Sequence, residues 1–183
     1  RPDNYPTPLW SERYHTLEAE DLSENWLPRT LDITKIFAVA YDFPPGSGIK
    51  PQVRTDINAA LNAGTTLFYY VGHGAEDNLA DEQIFQSRDI ANLTNGHKKP
   101  YSCDVGVYDN PIRRSMAETF VSTSNGGAIG AICASQVSTI GANEILSEKF
   151  FGNLYPEGRV EDGSCVALSL MMAKSQVLSF QQS

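Results

Sequence analysis

The sequence predicts an α/β fold in which strands and helices alternate, the strands form a mostly parallel sheet, and helices cover it to make three layers. Two kinds of segment carry that reading. Thr65–Val71 and Ala128–Ala134 are short runs without a charge, rich in apolar, β-branched or aromatic residues. That is how strands buried on both faces of a parallel sheet read. Beside them lie stretches of helical period. In Gln52–Ala63, Val53, Ile57 and Leu61 recur at i, i+4 and i+8, one apolar stripe on an otherwise polar helix. Strand, helix and strand joined by short loops make a crossover unit, which implies parallel pairing.

Taken in order, residues 1–30 carry Pro2, Pro6, Pro8 and Pro28 around a helical middle. Ser11 could cap it, and Leu17, Leu22 and Trp26 would form its apolar side among Glu18, Glu20, Asp21 and Glu24. Ile36–Ala40 reads as a strand and Pro44–Gly48 as a loop. Gly64 stands where a glycine would end the helix Gln52–Ala63, and Thr65–Val71 follows as the central strand. Residues 75–97 are polar and loop-rich, with a short helical turn at Asp89–Leu93. Pro100 suits the start of a strand ending near Cys103, and Asp104–Pro111 is dense in turn residues. A helix is expected from Ile112 to Ser122, a strand at Ala128–Ala134, and helices at Asn143–Leu154 and Ser164–Leu178. The chain shows no internal repeat, heptad or low-complexity run.

With 183 residues, 41% apolar and 20% charged, the chain has the length and composition of one globular domain. Its net charge of −8 argues against nucleic acid and anionic membrane surfaces as partners. No apolar run is long enough to span a membrane. The three cysteines, Cys103, Cys133 and Cys165, are too few and too scattered for a disulfide framework or a zinc site. Their odd number leaves at least one free thiol.

The chemistry gathers where the strands end. Gly72-His73-Gly74 directly follows the first uncharged run, which puts an imidazole on a backbone that can bend sharply and be approached closely. The predicted strands end near His73, Cys103 and Ser135, at the edge where open α/β sheets place ligands. An imidazole near a thiol can take its proton and free a thiolate to attack a carbonyl. The N–H of Gly74 could hold the resulting oxyanion. From the residues alone two readings stand: a Cys–His hydrolase, or a buried structural thiol beside a satisfied loop histidine.

Val71-Gly72-His73-Gly74, followed by Lys99-Pro100-Tyr101-Ser102-Cys103-Asp104-Val105-Gly106, resembles the gingipain family of caspase-like cysteine peptidases. The segments Asn62-Ala63-Gly64, Asn92–Gly96 and Gly126–Ile129 have similar counterparts there. Within the family, Cys103–Pro111 looks most like the type IX secretion signal peptidases, or sortases. The resemblance implies a caspase-like αβα three-layer sandwich with a mostly parallel central sheet. It implies Cys103 as nucleophile, His73 as general base or acid, and the N–H groups of Gly74 and Cys103 as oxyanion donors. It implies further that residues 1–183 are one gingipain-like peptidase domain, the C-terminal portion of a longer catalytic domain.

By the same resemblance, Gln136, Val137 and Ser138 follow the third strand where the family builds its substrate pocket. Glu12 is the candidate for reading a basic substrate side chain. Ser102 stands where alanine is commoner, and the acid that supports the histidine in gingipains has no counterpart here. No cofactor is required; structural Ca²⁺ near Glu76, Asp77 and Asp81 is the one metal the family suggests, against a plain solvated loop. Partners would be protein or peptide substrates and secretion-system components, outside the cell or on a bacterial surface. A CHAT-type caspase-like protease and a non-catalytic interaction domain are the alternatives. Cys133 and Cys165 read as small core residues, and His15 and His97 as solvent-facing side chains.

Overall fold

The computed structural model describes residues 10–75, 77–96, 101–103, 106, 112–135 and 139–180. These fall into two compact units, the first taking in residues 10–13 and 35–137, the second 14–34 and 138–180.

In the first unit a helix α2 (Pro51–Ala63) precedes a strand β1 (Leu67–Tyr69); α1 (Trp10–Asn25) comes earlier and falls mainly in the second unit. Pro51 opens α2, where its missing N–H costs nothing, and Val53, Ile57 and Leu61 are its buried row as predicted. An antiparallel hairpin follows, β2 (Asn78–Leu79) and β3 (Phe85–Gln86), leading into a short helix α3 (Ser87–Ile90). Then come β4 (Tyr101–Cys103), α4 (Met116–Ser122) and β5 (Gly130–Ile132). The three single strands form a parallel sheet in the order β1-β4-β5, with Tyr69 beside Cys103 and Cys103 beside Ile132. Phe68 of β1 meets Phe85 and Phe120 at ring distances of 6.1 and 6.4 Å, and Phe85 stacks on Phe120 at 5.6 Å. These rings join Val53, Ile57, Leu61, Leu79 and Ile90 in one apolar core.

The sheet corrects several expectations. Thr65–Val71 is not its central strand. Among the described residues β1 lies at one side, its residues are half-buried, and β4 is in the middle. Ile36–Ala40 is not a strand but leads into a 3₁₀ turn at Ala38–Ala40, closed by Ala40 N–H donating to Phe37 O at 2.9 Å. A short apolar run does not by itself distinguish the two. Here the turn presents the Ala38 carbonyl to the fully buried Lys50, whose Nζ donates to it at 2.7 Å and lies 4.5 Å over the Phe43 ring. The crossover unit built on Ile36–Ala40 falls with that strand.

The stretch 75–97, predicted as loop with a short helical turn at Asp89–Leu93, holds the hairpin as well, and its helical turn is α3 at Ser87–Ile90. α4 starts at Met116, not Ile112, which is 89% exposed. Ser115 caps it, accepting from Glu118 N–H at 3.3 Å while its own N–H donates to the Glu118 carboxylate at 2.8 Å. That reciprocal box fixes the first turn.

The second unit contains α1 from Tyr14 onward, α5 (Ile140–Leu154) and α6 (Val166–Phe180). α5 and α6 pack on each other, with Phe150, Phe151 and Leu154 buried on one and Ser169 and Ala173 on the other. Both start within a few residues of the predicted boundaries. The apolar side predicted for α1 is corrected: Leu22 is buried, but Leu17 is 57% exposed and the buried residue one turn before Leu22 is Glu18. The Tyr14 hydroxyl donates to the Glu144 carboxylate of α5. That bond first, then burial and the carboxylates of Glu144, Glu18 and Glu148, pushes the Tyr14 pKa up to about 12. Among the described residues, no helix is long and apolar enough to cross a membrane.

Candidate active site

The parallel sheet brings the ends of β1, β4 and β5 to one edge. Cys103 is the last residue of β4, the middle strand. Its neighbour Tyr69 ends β1, and the chain runs on from there through Tyr70 and Val71 to Gly72-His73-Gly74. On the other side Ile132 ends β5 and leads to Cys133, Ala134 and Ser135. With neighbouring strands about 4.8 Å apart, the topology places His73, Cys103 and Ser135 along one edge. The side chain of Cys103 lies outside the described residues.

His73 is exposed, yet its backbone is held firmly. Its carbonyl accepts from the Tyr70 hydroxyl at 2.6 Å and from Ala80 N–H at 2.8 Å. The exposed Gly74 forms an antiparallel bridge to Leu79, and Ala75 N–H donates to Asn78 O at 2.9 Å. Leu79 is fully buried. The His-Gly turn is therefore paired to the hairpin strand β2, and β2 is anchored in the core. Sequence reading missed this brace. Within the run Thr65–Val71, Tyr70 reads as one aromatic among others, although a tyrosine ring carries a polar end that seeks a partner.

Beyond Cys103 the chain is tied to β5. Gly106 is buried and its N–H donates to Ala134 O at 2.9 Å. A Cβ there would run into the Cys133 sulfur and come within 3.4 Å of the Ala117 methyl. Gly106 is needed for this close approach. Cys133 is half-buried against it.

Other predicted residues are placed as follows. Glu12 belongs to α1, with its side chain outside the described residues, and Gln136, Val137, Ser138, Glu76 and His97 lie outside them altogether. Asp77 and Asp81 are exposed, and among the described residues no group of three or more histidine, cysteine or acidic side chains could hold a metal. His15 is half-buried rather than solvent-facing. Cys165 is a correction: it is exposed, directly before α6. The N–H groups of Leu168 and Ala167 donate to its sulfur and hold its thiol below the ordinary cysteine range. Backbone donors at the start of a helix stabilise a thiolate.

The sequence profile described as Peptidase family C25 matches residues 3–182. The chain belongs to this family. Among solved structures it is similar to the crystal structure of the Arg-specific cysteine proteinase gingipain R (RgpB), with 17% identity and a TM-score of 0.60. That match covers 97% of this chain and 38% of the other. It is also similar to the complex of the Porphyromonas gingivalis RgpB pro- and mature domains, with 18% identity and a TM-score of 0.51. There it covers 83% of this chain and 33% of the other. The C25 chain thus spans little more than a third of the proteinase whose fold it resembles. No curated protein matches it. The gingipain resemblance read from the His-Gly and Cys segments holds at the level of family and fold.

Proposed function

We propose that this C25 chain carries the catalytic dyad of a cysteine peptidase, with Cys103 as nucleophile and His73 as general base and then acid. The observation that supports this best is the register of the sheet. Cys103 closes the middle strand directly beside the strand that runs into His73, so the two residues stand at the ends of neighbouring strands, at one edge of the sheet. In this reading the caspase-like three-layer sandwich is the scaffold, of which the three described strands are the part carrying the site.

The Cys103 sulfur attacks the carbonyl carbon of a substrate peptide bond as His73 takes its proton. The oxyanion that forms is held by the N–H groups of Gly74 and Cys103. Collapse expels the amine with a proton returned from His73 and leaves a thioester on Cys103. Water then hydrolyses the thioester, or an amine acceptor takes the acyl group. The braced carbonyl of His73 serves this chemistry by fixing the backbone of an exposed residue.

Substrates would be proteins, with Gln136, Val137, Ser138 and Glu12 the candidates for side-chain recognition. Processing of C-terminal sorting signals at a bacterial surface, together with secretion-system components, is the finer reading; it rests on the likeness of Cys103–Pro111 to the sortase branch. Structural Ca²⁺ near Glu76, Asp77 and Asp81 rests on the gingipain resemblance alone, against a plain solvated loop.

Labelling with a peptidyl acyloxymethyl ketone, followed by peptide mapping, tests the dyad. The exposed, acid-shifted Cys165 is the expected competitor for any simple alkylating agent, so a Cys165→Ser background is needed. The expected result is preferential modification of Cys103 that is lost in His73→Ala. Equal modification of Cys103 and Cys133, indifferent to His73, would sink the proposal.

A further inference from the structure

β1, β4 and β5 each have only three residues. So short a ladder fixes register weakly, and a slip of one residue moves a strand by about 3.3 Å and turns each side chain to the other face. The height and facing of Cys103 at the sheet edge therefore need another constraint. The opposite edge, where the chain leads into the strands, supplies one.

Two asparagines meet there around a single loop. Asn62, at the end of α2 just before β1, accepts through Oδ1 from Thr94 N–H at 2.7 Å and from the Thr94 hydroxyl at 3.2 Å. The next residue, Asn95, is 2% exposed. Its Nδ2 donates to Gly127 O at 2.9 Å and its Oδ1 accepts from Gly127 N–H at 2.9 Å. Thr94 and Asn95 precede β4, and Gly127 precedes β5. One side-chain amide thus satisfies both backbone groups of a buried residue, and its neighbour ties the same loop to the approach to β1.

The backbones are pressed together to allow it. A Cβ on Gly96 would come 2.7 Å from Asn125 O, and Gly127 sits at φ +88°, where a side chain is strained. Together the two amides staple the approaches of all three strands.

We infer that Asn95, assisted by Asn62, is a positioning residue for the Cys103–His73 dyad: it sets the register of the middle strand between its neighbours. The inference rests on the dyad proposed above. The staple touches neither substrate nor the reacting atoms. It acts by holding Cys103 at the height at which His73 reaches it, and a misplacement of about 1 Å is enough to cost around 10²-fold in reactivity.

The test uses the 183-residue chain in a Cys165→Ser background and reads the rate of Cys103 alkylation by iodoacetamide, peptide-mapped, in folded and urea-unfolded protein. In the parent, folded Cys103 should react faster than unfolded, and His73→Ala should remove the excess. Asn95→Asp keeps the acceptor and loses the donor; Asn95→Leu loses both. Each should lower the folded rate by about 10- to 100-fold, and adding His73→Ala should then change nothing further. Asn62→Ala, at the exposed tie, should act in the same direction and less. Val53→Ala, a core truncation in α2 remote from the staple, should keep both the rate and its dependence on His73 even at equal loss of stability.

Should Asn95→Leu fail to fold, Asn95→Asp and Asn62→Ala carry the test. Asn95 variants that retain the parent rate and its His73 dependence overturn the inference. A parent whose folded Cys103 reacts no faster than unfolded sinks the dyad, and the staple's role with it. That failure is visible before any asparagine is changed.

Discussion

Gly106→Ala tests the link between the chain after Cys103 and the segment that follows β5. The added methyl would overlap the Cys133 sulfur and stand 3.3 Å from the Cys133 Cβ and 3.4 Å from the Ala117 Cβ. A cysteine side chain is too short to swing away, so the loop or the end of β5 must shift, with the bond from Gly106 N–H to Ala134 O strained in consequence. Overpacking of this kind costs about 1–3 kcal/mol, and weakening the buried hydrogen bond adds about 1 kcal/mol.

Removing the sulfur makes room. Cys133→Ala alone leaves a small void and should cost about 1 kcal/mol, but the double variant Gly106→Ala/Cys133→Ala places the new methyl where the sulfur was. The cycle should therefore show a favourable coupling of about 1–2 kcal/mol between the two changes. Hydrogen exchange read on peptides covering residues 101–106 and 128–135 measures it locally, since these segments report opening of the β4–β5 pair rather than of the whole chain. Additive losses in the double variant would refute the contact, as would a single Gly106→Ala with unchanged protection.

Two further changes probe the rest of the molecule. Phe85→Ala empties a fully buried site that touches Phe68 and Phe120; urea unfolding of the first unit should show a loss of about 3–5 kcal/mol, and a loss under 1 kcal/mol would contradict the core described above. In the second unit, burial first, then the carboxylates of Glu144 and Asp21, raises the Glu148 pKa above its ordinary value. A raised carboxyl pKa means stability that is full below the unfolded value and declines as pH rises through the folded one. Glu148→Gln should therefore leave thermal stability little changed near pH 4 and increase it at pH 7; a variant less stable than the parent at pH 7 would show that the charged form is favoured instead.

What the sequence disclosed and what it concealed divide along physical lines. α2 was legible because Val53, Ile57 and Leu61 mark one helical face without ambiguity and Gly64 ends it. The start of α4 was also written in the chain, as Ser115 followed by Glu118, but the apolar Ile112 drew the boundary outward; in the structure Ile112 is exposed and the capping box decides. The hairpin β2–β3 left almost no trace. Its strands have two residues each, and its turn uses Ala80 and Gln83 at positive φ where glycine would have announced it. Ile36–Ala40 misled because apolar content there serves a 3₁₀ turn around the buried Lys50, a contact made at long range.

The same division runs through the candidate site. His73 and Cys103, the proposed dyad, stand out in the sequence because chemistry dictates residue type: an imidazole between glycines and a cysteine at a strand end leave few equivalents. Their supports do not, because support is made by whichever polar atom happens to lie in reach. The His73 carbonyl is held by a tyrosine hydroxyl and an alanine N–H, and the Asn95 amide ties its loop to Gly127, ahead of β5. Such partners carry no motif. An exposed imidazole can be both accessible and well placed only if its backbone is anchored elsewhere, and the buried Leu79 beneath the Gly74 bridge provides that anchor. The His-Gly turn is exposed at its tip and fixed at its base, which is what the proposed role of His73, meeting substrate without wandering from Cys103, would require.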